Sequence, residues 1–234
     1  MRIAGIQKNS FVDYRGKVAA VIFTCGCNMD CFYCHNRDII CKEGKQCLYS
    51  DGEILQLLAQ RGKFLDGVVI SGGEPTMQPD LEEFIKEVKQ LGYPVKLDTN
   101  GTSPELVERL IQKQLIDFIA MDIKAPLDKY EEICCANVDM EKIEYSIDLL
   151  MEEKVDYEFR TTVVPELLEE DITRIASRIS GARLYILQQF RQPSAYRDVI
   201  DYRALKAPHS PAFIKEMTVK IGKYVRQYEA RGVV

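Results

Sequence analysis

The chain has 234 residues, and its 31 Lys and Arg against 36 Asp and Glu give a net charge of -5. This acidic balance argues against a sequence-independent nucleic-acid binder, so a protein or small-molecule substrate is expected. No signal-peptide core follows Met1, and no apolar run approaches the ~18 residues that span a bilayer. The protein is therefore expected to be cytoplasmic, with no membrane partner, and its eight cysteines indicate metal or redox chemistry rather than disulfides.

Predicted strands and helices alternate along most of the chain. Apolar runs predict six strands, at residues 18–23, 67–71, 95–99, 116–122, 157–163 and 184–188. Helical periodicity predicts helices at residues 51–61, 79–91, 104–113, 141–152 and 168–179, and a C-terminal helical segment at about 200–231. Such alternation indicates parallel strands with right-handed crossovers, in an open doubly wound sheet or in a closed or partly closed barrel. One domain is expected over residues 1–234, with its core at about 17–190.

Several polar motifs come directly after predicted strands. They are the cysteine-rich stretch after residue 23, Gly72-Gly73-Glu74-Pro75, Asp98-Thr99-Asn100-Gly101 and Asp122-Ile123-Lys124. Barrel enzymes collect their chemistry from the C-terminal ends of several strands on one rim. This placement favours a barrel over an open sheet.

The stretch from Cys27 to Cys34 carries three thiols. Three residues separate Cys27 from Cys31, and two separate Cys31 from Cys34. Thiolates are the usual ligands of iron–sulfur clusters, and three of them leave one iron of a cubane cluster open to a small molecule. An amine and a carboxylate on one molecule could chelate that iron. The alternative from spacing alone is a zinc site, with Cys25 or His35 as a fourth ligand.

These residues resemble the radical S-adenosylmethionine (radical SAM) enzymes, whose signature is CxxxCxxC. The flanking Phe11-Val12-Asp13-Tyr14 and His35-Asn36, with the three later motifs in the same order, resemble the branch that activates glycyl-radical enzymes. Within that branch the chain is most similar to the short activating proteins of anaerobic ribonucleoside-triphosphate reductase. The resemblance implies a fold of the partial (β/α)6 TIM-like barrel type.

The resemblance also implies a mechanism. One [4Fe-4S] cluster would be bound by Cys27, Cys31 and Cys34, and S-adenosylmethionine would chelate its fourth iron. An electron from a flavodoxin- or ferredoxin-type donor would cleave the sulfonium to methionine and a 5′-deoxyadenosyl radical equivalent, which would take a hydrogen atom from a glycine of a partner enzyme. The cluster and the cofactor would carry this chemistry, so no catalytic side chain is expected.

Eight residues are candidates for binding S-adenosylmethionine: Gly72, Gly73, Glu74, Asp98, Thr99, Asn100, Asp122 and Lys124. The glycines would let backbone approach the ligand, and Glu74 could accept a hydrogen bond from its ammonium. By resemblance, Asp98, Thr99 and Asp122 could also hold a monovalent cation. The alternative for the glycine pair and for residues 98–100 is an ordinary turn that ends a strand.

The other cysteines are Cys25, Cys41, Cys47, Cys134 and Cys135, and they lack the spacing of a second complete cluster. We expect structural or uncoordinated thiols there. Three alternative functions stay open: activation of a pyruvate formate-lyase-type enzyme, another radical SAM reaction, and a non-enzymatic zinc-binding module.

Overall fold

The computed structural model describes residues 1–40, 48–193 and 201–233. They form two compact units. The first comprises Met1–Asn28, Asn36–Ala120 and Glu153–Asp156, and the second comprises Met29–His35, Met121–Glu152 and Tyr157–Val234. The chain passes from the first unit to the second within the cysteine stretch, between Asn28 and Met29. That the chain is one domain stays a prediction.

The first unit contains a sheet whose parallel strands are mostly buried. Its strands are β1 (Ile3–Ser10), β2 (Ala19–Thr24), β3 (Gly67–Gly72) and β4 (Val95–Thr99), while β5 (Phe118–Asp122) begins in this unit and ends in the second. Strand β2 runs parallel to β3, with Thr24 opposite Gly72, and β3 runs parallel to β4. Because parallel strands end at the same edge, the segments that follow β2, β3 and β4 lie together.

The helices of the first unit each bury apolar side chains. They are α1 (Arg37–Ile40), α2 (Asp51–Arg61), α3 (Leu81–Gln90) and α4 (Pro104–Gln112). Helix α2 begins at a capping box, in which Ser50 Oγ accepts from Glu53 N and Glu53 Oε2 accepts from Ser50 N. On α3 the predicted stripe of Leu81, Phe84, Ile85 and Val88 is buried, as a core-facing helix requires.

The second unit also consists of helices and mainly parallel strands that alternate along the chain. Its helices are α5 (Tyr130–Cys134), α6 (Met140–Met151), α7 (Glu169–Arg178) and α8 (Pro211–Ile221). Its strands are β6 (Asp156–Val163), whose first residue belongs to the first unit, β7 (Tyr185–Gln189) and β8 (Tyr228–Arg231). Strand β7 runs parallel to both β6 and β8, with Tyr185 opposite Phe159 on one side and Tyr228 on the other. No helix among the described residues is long and apolar enough to cross a bilayer.

The six predicted strands are present as β2 to β7, within two residues of the predicted limits. Two strands outside the predicted core were missed. Strand β1 pairs antiparallel with β2 through two register shifts, and β8 has the polar sequence Tyr-Glu-Ala-Arg, so neither shows a clean apolar pattern. The prediction of a C-terminal helical segment over about 200–231 is wrong in part, because α8 ends at Ile221 and Tyr228–Arg231 is a strand.

Candidate active site

The cysteine stretch, taken from Cys25 to Cys34, begins where β2 ends, and its first residues are fixed by backbone hydrogen bonds within the first unit. Cys25 N donates to Arg2 O at 2.9 Å, and Gly26 N donates to Ile39 O at 2.9 Å. Gly26 has a φ of +84°, which glycine adopts without strain. Cys27 follows directly and is half-buried, so the position of the first predicted ligand is set by the backbone before it.

The glycine pair after β3 packs against this same backbone. Gly73 N donates to Thr24 O at 3.0 Å, and Glu74 N donates to Gly26 O at 2.8 Å. A Cβ on Gly72 would lie 2.3 Å from Thr24 N, and a Cβ on Gly73 would lie 1.8 Å from Gly26 O. The close approach that requires glycine is therefore an approach to the cysteine stretch.

The carboxylate of Glu74 connects two of the predicted motifs. The residue is 1% exposed. Its Oε1 accepts hydrogen bonds from Thr76 N, Thr76 Oγ1 and Thr99 Oγ1 at 3.1, 2.6 and 2.8 Å, and its Oε2 accepts from Asn100 N at 2.7 Å. Burial raises the pKa of Glu74, and these donors oppose the rise. In this arrangement Glu74 holds the ends of β3 and β4 together.

The side chain of Asn100 reaches the cysteine stretch. Asn100 Nδ2 donates to Asn28 Oδ1 at 2.8 Å and lies 4.0 Å from Cys27 Sγ. Asn28 Nδ2 in turn donates to Thr102 Oγ1 at 2.8 Å. Hydrogen-bond donors beside a cluster thiolate orient the ligand and tune the metal. Asn100 Nδ2 is placed to do this if Cys27 binds a cluster, whereas Asn28 faces Cys27 Sγ with its acceptor Oδ1, at 4.0 Å.

The first unit thus brings together the predicted residues Cys27, Gly72, Gly73, Glu74, Thr99 and Asn100. Asp98 lies directly before Thr99 on β4, and its Oδ1 is 3.4 Å from Lys96 Nζ. Lys96 was not among the predicted site residues. A lysine inside a buried strand, two residues before a motif carboxylate and so on the same face of the strand, was the sequence signal for it.

In the second unit the thiol of Cys31 is hydrogen-bonded to the thiol of Cys134. Both residues are buried. The bond to Cys134 lowers the pKa of Cys31 to about 7 and raises the pKa of Cys134. Asp30 N also donates to Cys134 O at 2.9 Å, and Cys34 N donates to Cys31 O at 3.0 Å. Cys134, at the end of α5, therefore supports the middle of the cysteine stretch.

The Asp122 and Lys124 side chains form a charged group with Arg160 of β6. Lys124 Nζ lies 3.0 Å from Asp122 Oδ2, and Arg160 Nε lies 2.8 Å from Asp122 Oδ1. Burial raises the pKa of Asp122, but the two cations outweigh it and the net shift is downward. Burial lowers the pKa of Lys124, and Asp122 raises it well above its usual value. Each predicted residue has its charge balanced within this group.

Arg160 and Cys134 were missed as site residues. Arg160 lies in the middle of β6, two residues after Glu158, and this acidic and basic pair inside a predicted strand was the available signal. Glu158, 1% exposed, lies 3.9 Å from the Arg160 guanidinium. Nothing in the spacing of Cys134 pointed to Cys31. Its neighbour Cys135 is exposed and lies 3.1 Å from the Arg203 guanidinium, whereas Cys41 and Cys47 lie outside the described residues.

The donor set of the cysteine stretch fits an iron–sulfur cluster. None of the described cysteines forms a disulfide, and three thiols lie within eight consecutive residues. In the described parts of the chain no three Cys, His, Asp or Glu side chains surround the position of a single ion. A cubane cluster binds each thiolate through its own iron.

Comparison with known proteins supports the same chemistry. Residues 21–179 match the model of the radical SAM superfamily. The chain is 39% identical, over 97% of its length and 92% of the relative's, to a Methanocaldococcus jannaschii protein named for a glycyl-radical enzyme activating function. It is 29% identical to the pyruvate formate-lyase-activating enzyme of Clostridium pasteurianum, over 78% of this chain and 77% of that one.

Among solved structures, Streptococcus suis SuiB bound to S-adenosylmethionine aligns with a TM-score of 0.69 and 14% identity, over 88% of this chain and 48% of SuiB. At this identity the likeness shows the fold alone. Together with the family match, it confirms the predicted fold class, α/β of the partial (β/α)6 barrel type. The roles predicted for individual site residues stay predictions.

Proposed function

The chain belongs to the radical SAM superfamily, and from this we propose that it activates a glycyl-radical enzyme, specifically an anaerobic ribonucleoside-triphosphate reductase. Membership implies a [4Fe-4S] cluster and S-adenosylmethionine as cofactors. The 39% identity to an activating enzyme across nearly the whole chain supports the activase function. The choice of the reductase rests on the motif resemblance described above, and a flavodoxin- or ferredoxin-type electron donor is part of the proposal.

The observation that carries the proposal is the way the first unit holds the beginning of the cysteine stretch. The glycine pair binds its backbone, and Asn100 binds it through Asn28 and lies beside Cys27. Glu74 joins these two contacts through its buried carboxylate. A ligand loop held this firmly keeps its geometry while the cofactor binds and leaves.

In this proposal Cys27, Cys31 and Cys34 hold the cluster, and the eight candidate residues bind S-adenosylmethionine. Bound together, the two groups supply one-electron cleavage of the sulfonium and hydrogen-atom abstraction. The chain's own residues position them. Asn100 and Cys134 orient the Cys27 and Cys31 thiols, and Glu74 fixes Thr99 and Asn100. The Lys124 and Arg160 charges keep Asp122 ionised.

The test is to mix reduced protein and S-adenosylmethionine with each candidate partner without oxygen. We expect the electron paramagnetic resonance (EPR) doublet of a glycyl radical on the reductase, followed by cleavage at one glycine when oxygen is admitted. The second candidate partner is a pyruvate formate-lyase-type enzyme, favoured by the 29% identity to its activating enzyme. A radical on the lyase and never on the reductase would move the assignment to that partner. Modification of a small molecule instead would contradict both.

A further inference from the structure

The side chain of Lys96 is enclosed in the first unit, with 3% of its side-chain surface exposed. Its Nζ lies 2.5 Å from the backbone oxygen of Asp13, 3.4 Å from Asp98 Oδ1 and 5.6 Å from the centre of the Phe118 ring. A buried ammonium is costly unless its charge is paired and hydrogen-bonded. The carbonyl, the carboxylate and the ring face together provide that compensation, so the ammonium is held at this position.

A monovalent cation beside Asp98 would meet a positive charge that is already there. That charge is the Lys96 ammonium, and a monovalent cation at the same carboxylate would be repelled by it. The neighbouring hydroxyl of Thr99 is also engaged, because it donates to Glu74 Oε1 at 2.8 Å and accepts from Gly101 N at 3.1 Å. In the second unit both oxygens of Asp122 are paired with cationic side chains. Each of the three predicted cation ligands therefore already contacts another charged or polar group of the chain.

We propose that the Lys96 ammonium is a built-in counter-ion for Asp98 that replaces the expected monovalent cation, so that S-adenosylmethionine binding does not depend on sodium or potassium. This inference rests on the proposed function to the extent that Asp98 belongs to the cofactor site. Lys96 is a positioning residue here. It neutralises Asp98, so the anionic carboxylate of the cofactor does not meet an unbalanced negative charge.

The first experiment uses the wild-type holoprotein, reconstituted without oxygen. The dissociation constant of S-adenosylmethionine is measured calorimetrically in tetramethylammonium, sodium and potassium chloride at equal ionic strength, and the EPR line shape of the reduced cluster is recorded with the cofactor in each salt. We expect the three constants to agree within about twofold and the line shapes to coincide. Binding that requires sodium or potassium would overturn the inference.

The second experiment removes the positive charge of Lys96. Lys96→Met keeps the apolar stem and leaves Asp98 without its ammonium, so sodium or potassium should now tighten cofactor binding by roughly tenfold. The double variant Lys96→Met/Asp98→Asn has neither charge and should not respond to the salt. Lys86→Met is the matched control, because Lys86 pairs with Glu82 on the exposed side of α3.

The outcomes separate this inference from the proposed function. Absence of cofactor binding in the wild type under every salt would contradict the proposed function itself. Salt-independent binding by Lys96→Met would contradict the counter-ion role while leaving the function intact. If Lys96→Met does not fold, the wild-type measurement still tests the inference, because cofactor binding that requires sodium or potassium would overturn it.

Discussion

The two units hold their predicted site residues by different means. In the first unit the motifs are joined mainly by hydrogen bonds to backbone, which converge on the cysteine stretch and on the buried Glu74 carboxylate. In the second unit they are joined side chain to side chain, by the charges of Asp122, Lys124 and Arg160 and by the thiols of Cys31 and Cys134. Backbone contacts fix position, whereas paired charges respond to pH and to substitution of either partner.

The largest expected effect concerns the cysteines. Cys31→Ala, like Cys27→Ala or Cys34→Ala, should abolish the cluster, because each removes one of three protein ligands. Cys134→Ala is the matched control. It should retain the cluster, since it removes a supporting thiol but keeps the carbonyl that accepts from Asp30 N. Iron and sulfide content and visible absorption measure the difference. Equal loss of iron from Cys134→Ala would show that the ligand assignment is wrong.

Gly73→Ala tests the backbone packing of the first unit. The new Cβ would lie 1.8 Å from Gly26 O, so the cysteine stretch must move. We expect the free energy of unfolding to fall by about 2–3 kcal/mol, with partial loss of the cluster. Anaerobic urea denaturation and iron analysis provide the measurement.

Gly52→Ala is its control, because nothing lies within 4 Å of a Cβ at that helical position. It should leave stability unchanged or raise it by about 0.5–1 kcal/mol. Equal tolerance of both substitutions would show that the packing of Gly73 against Gly26 contributes nothing.

Glu74→Gln should keep the cluster and weaken S-adenosylmethionine binding by roughly one to two decades, since hydrogen bonds to a charged group contribute about 1.5–3 kcal/mol. The amide of the new side chain would also point N–H groups at the Thr99 hydroxyl and the Asn100 N–H, which now donate hydrogen bonds to the Glu74 carboxylate. The positions of Thr99 and Asn100 would therefore be disturbed. Glu83→Gln on the exposed side of α3 is the control. An unchanged calorimetric dissociation constant for Glu74→Gln would remove this residue from the site.

The charged group of the second unit predicts a pH dependence. Because the pKa of Asp122 is lowered below its usual 3.8 in the folded protein, its contribution to stability is present above that pH and is lost as the pH falls through the folded-state value. Wild type should therefore exceed Asp122→Asn in unfolding free energy near neutral pH, and the gap should narrow in acid. Urea denaturation across this range is the measurement. A difference in unfolding free energy between wild type and Asp122→Asn that does not change with pH would mean that Lys124 and Arg160 do not stabilise the ionised form of Asp122.

Sequence reasoning found the parts of the site that have local causes. Gly72, Gly73 and Asn100 are recognisable because a tight approach or a turn demands their residue types where a strand ends. Arg160, Cys134 and Lys96 were missed, because their importance comes from partners distant in the chain. The two missed strands have the same explanation: β1 and β8 are specified by their pairing partners rather than by an apolar pattern of their own.

The most direct test of the central claim is EPR of the anaerobically reconstituted, reduced protein with and without S-adenosylmethionine. We predict the signal of one reduced [4Fe-4S] cluster per chain, whose line shape changes when the cofactor is added because the cofactor binds the open iron. A protein that takes up zinc instead of iron, or a cluster signal that the cofactor leaves unchanged, would contradict the account.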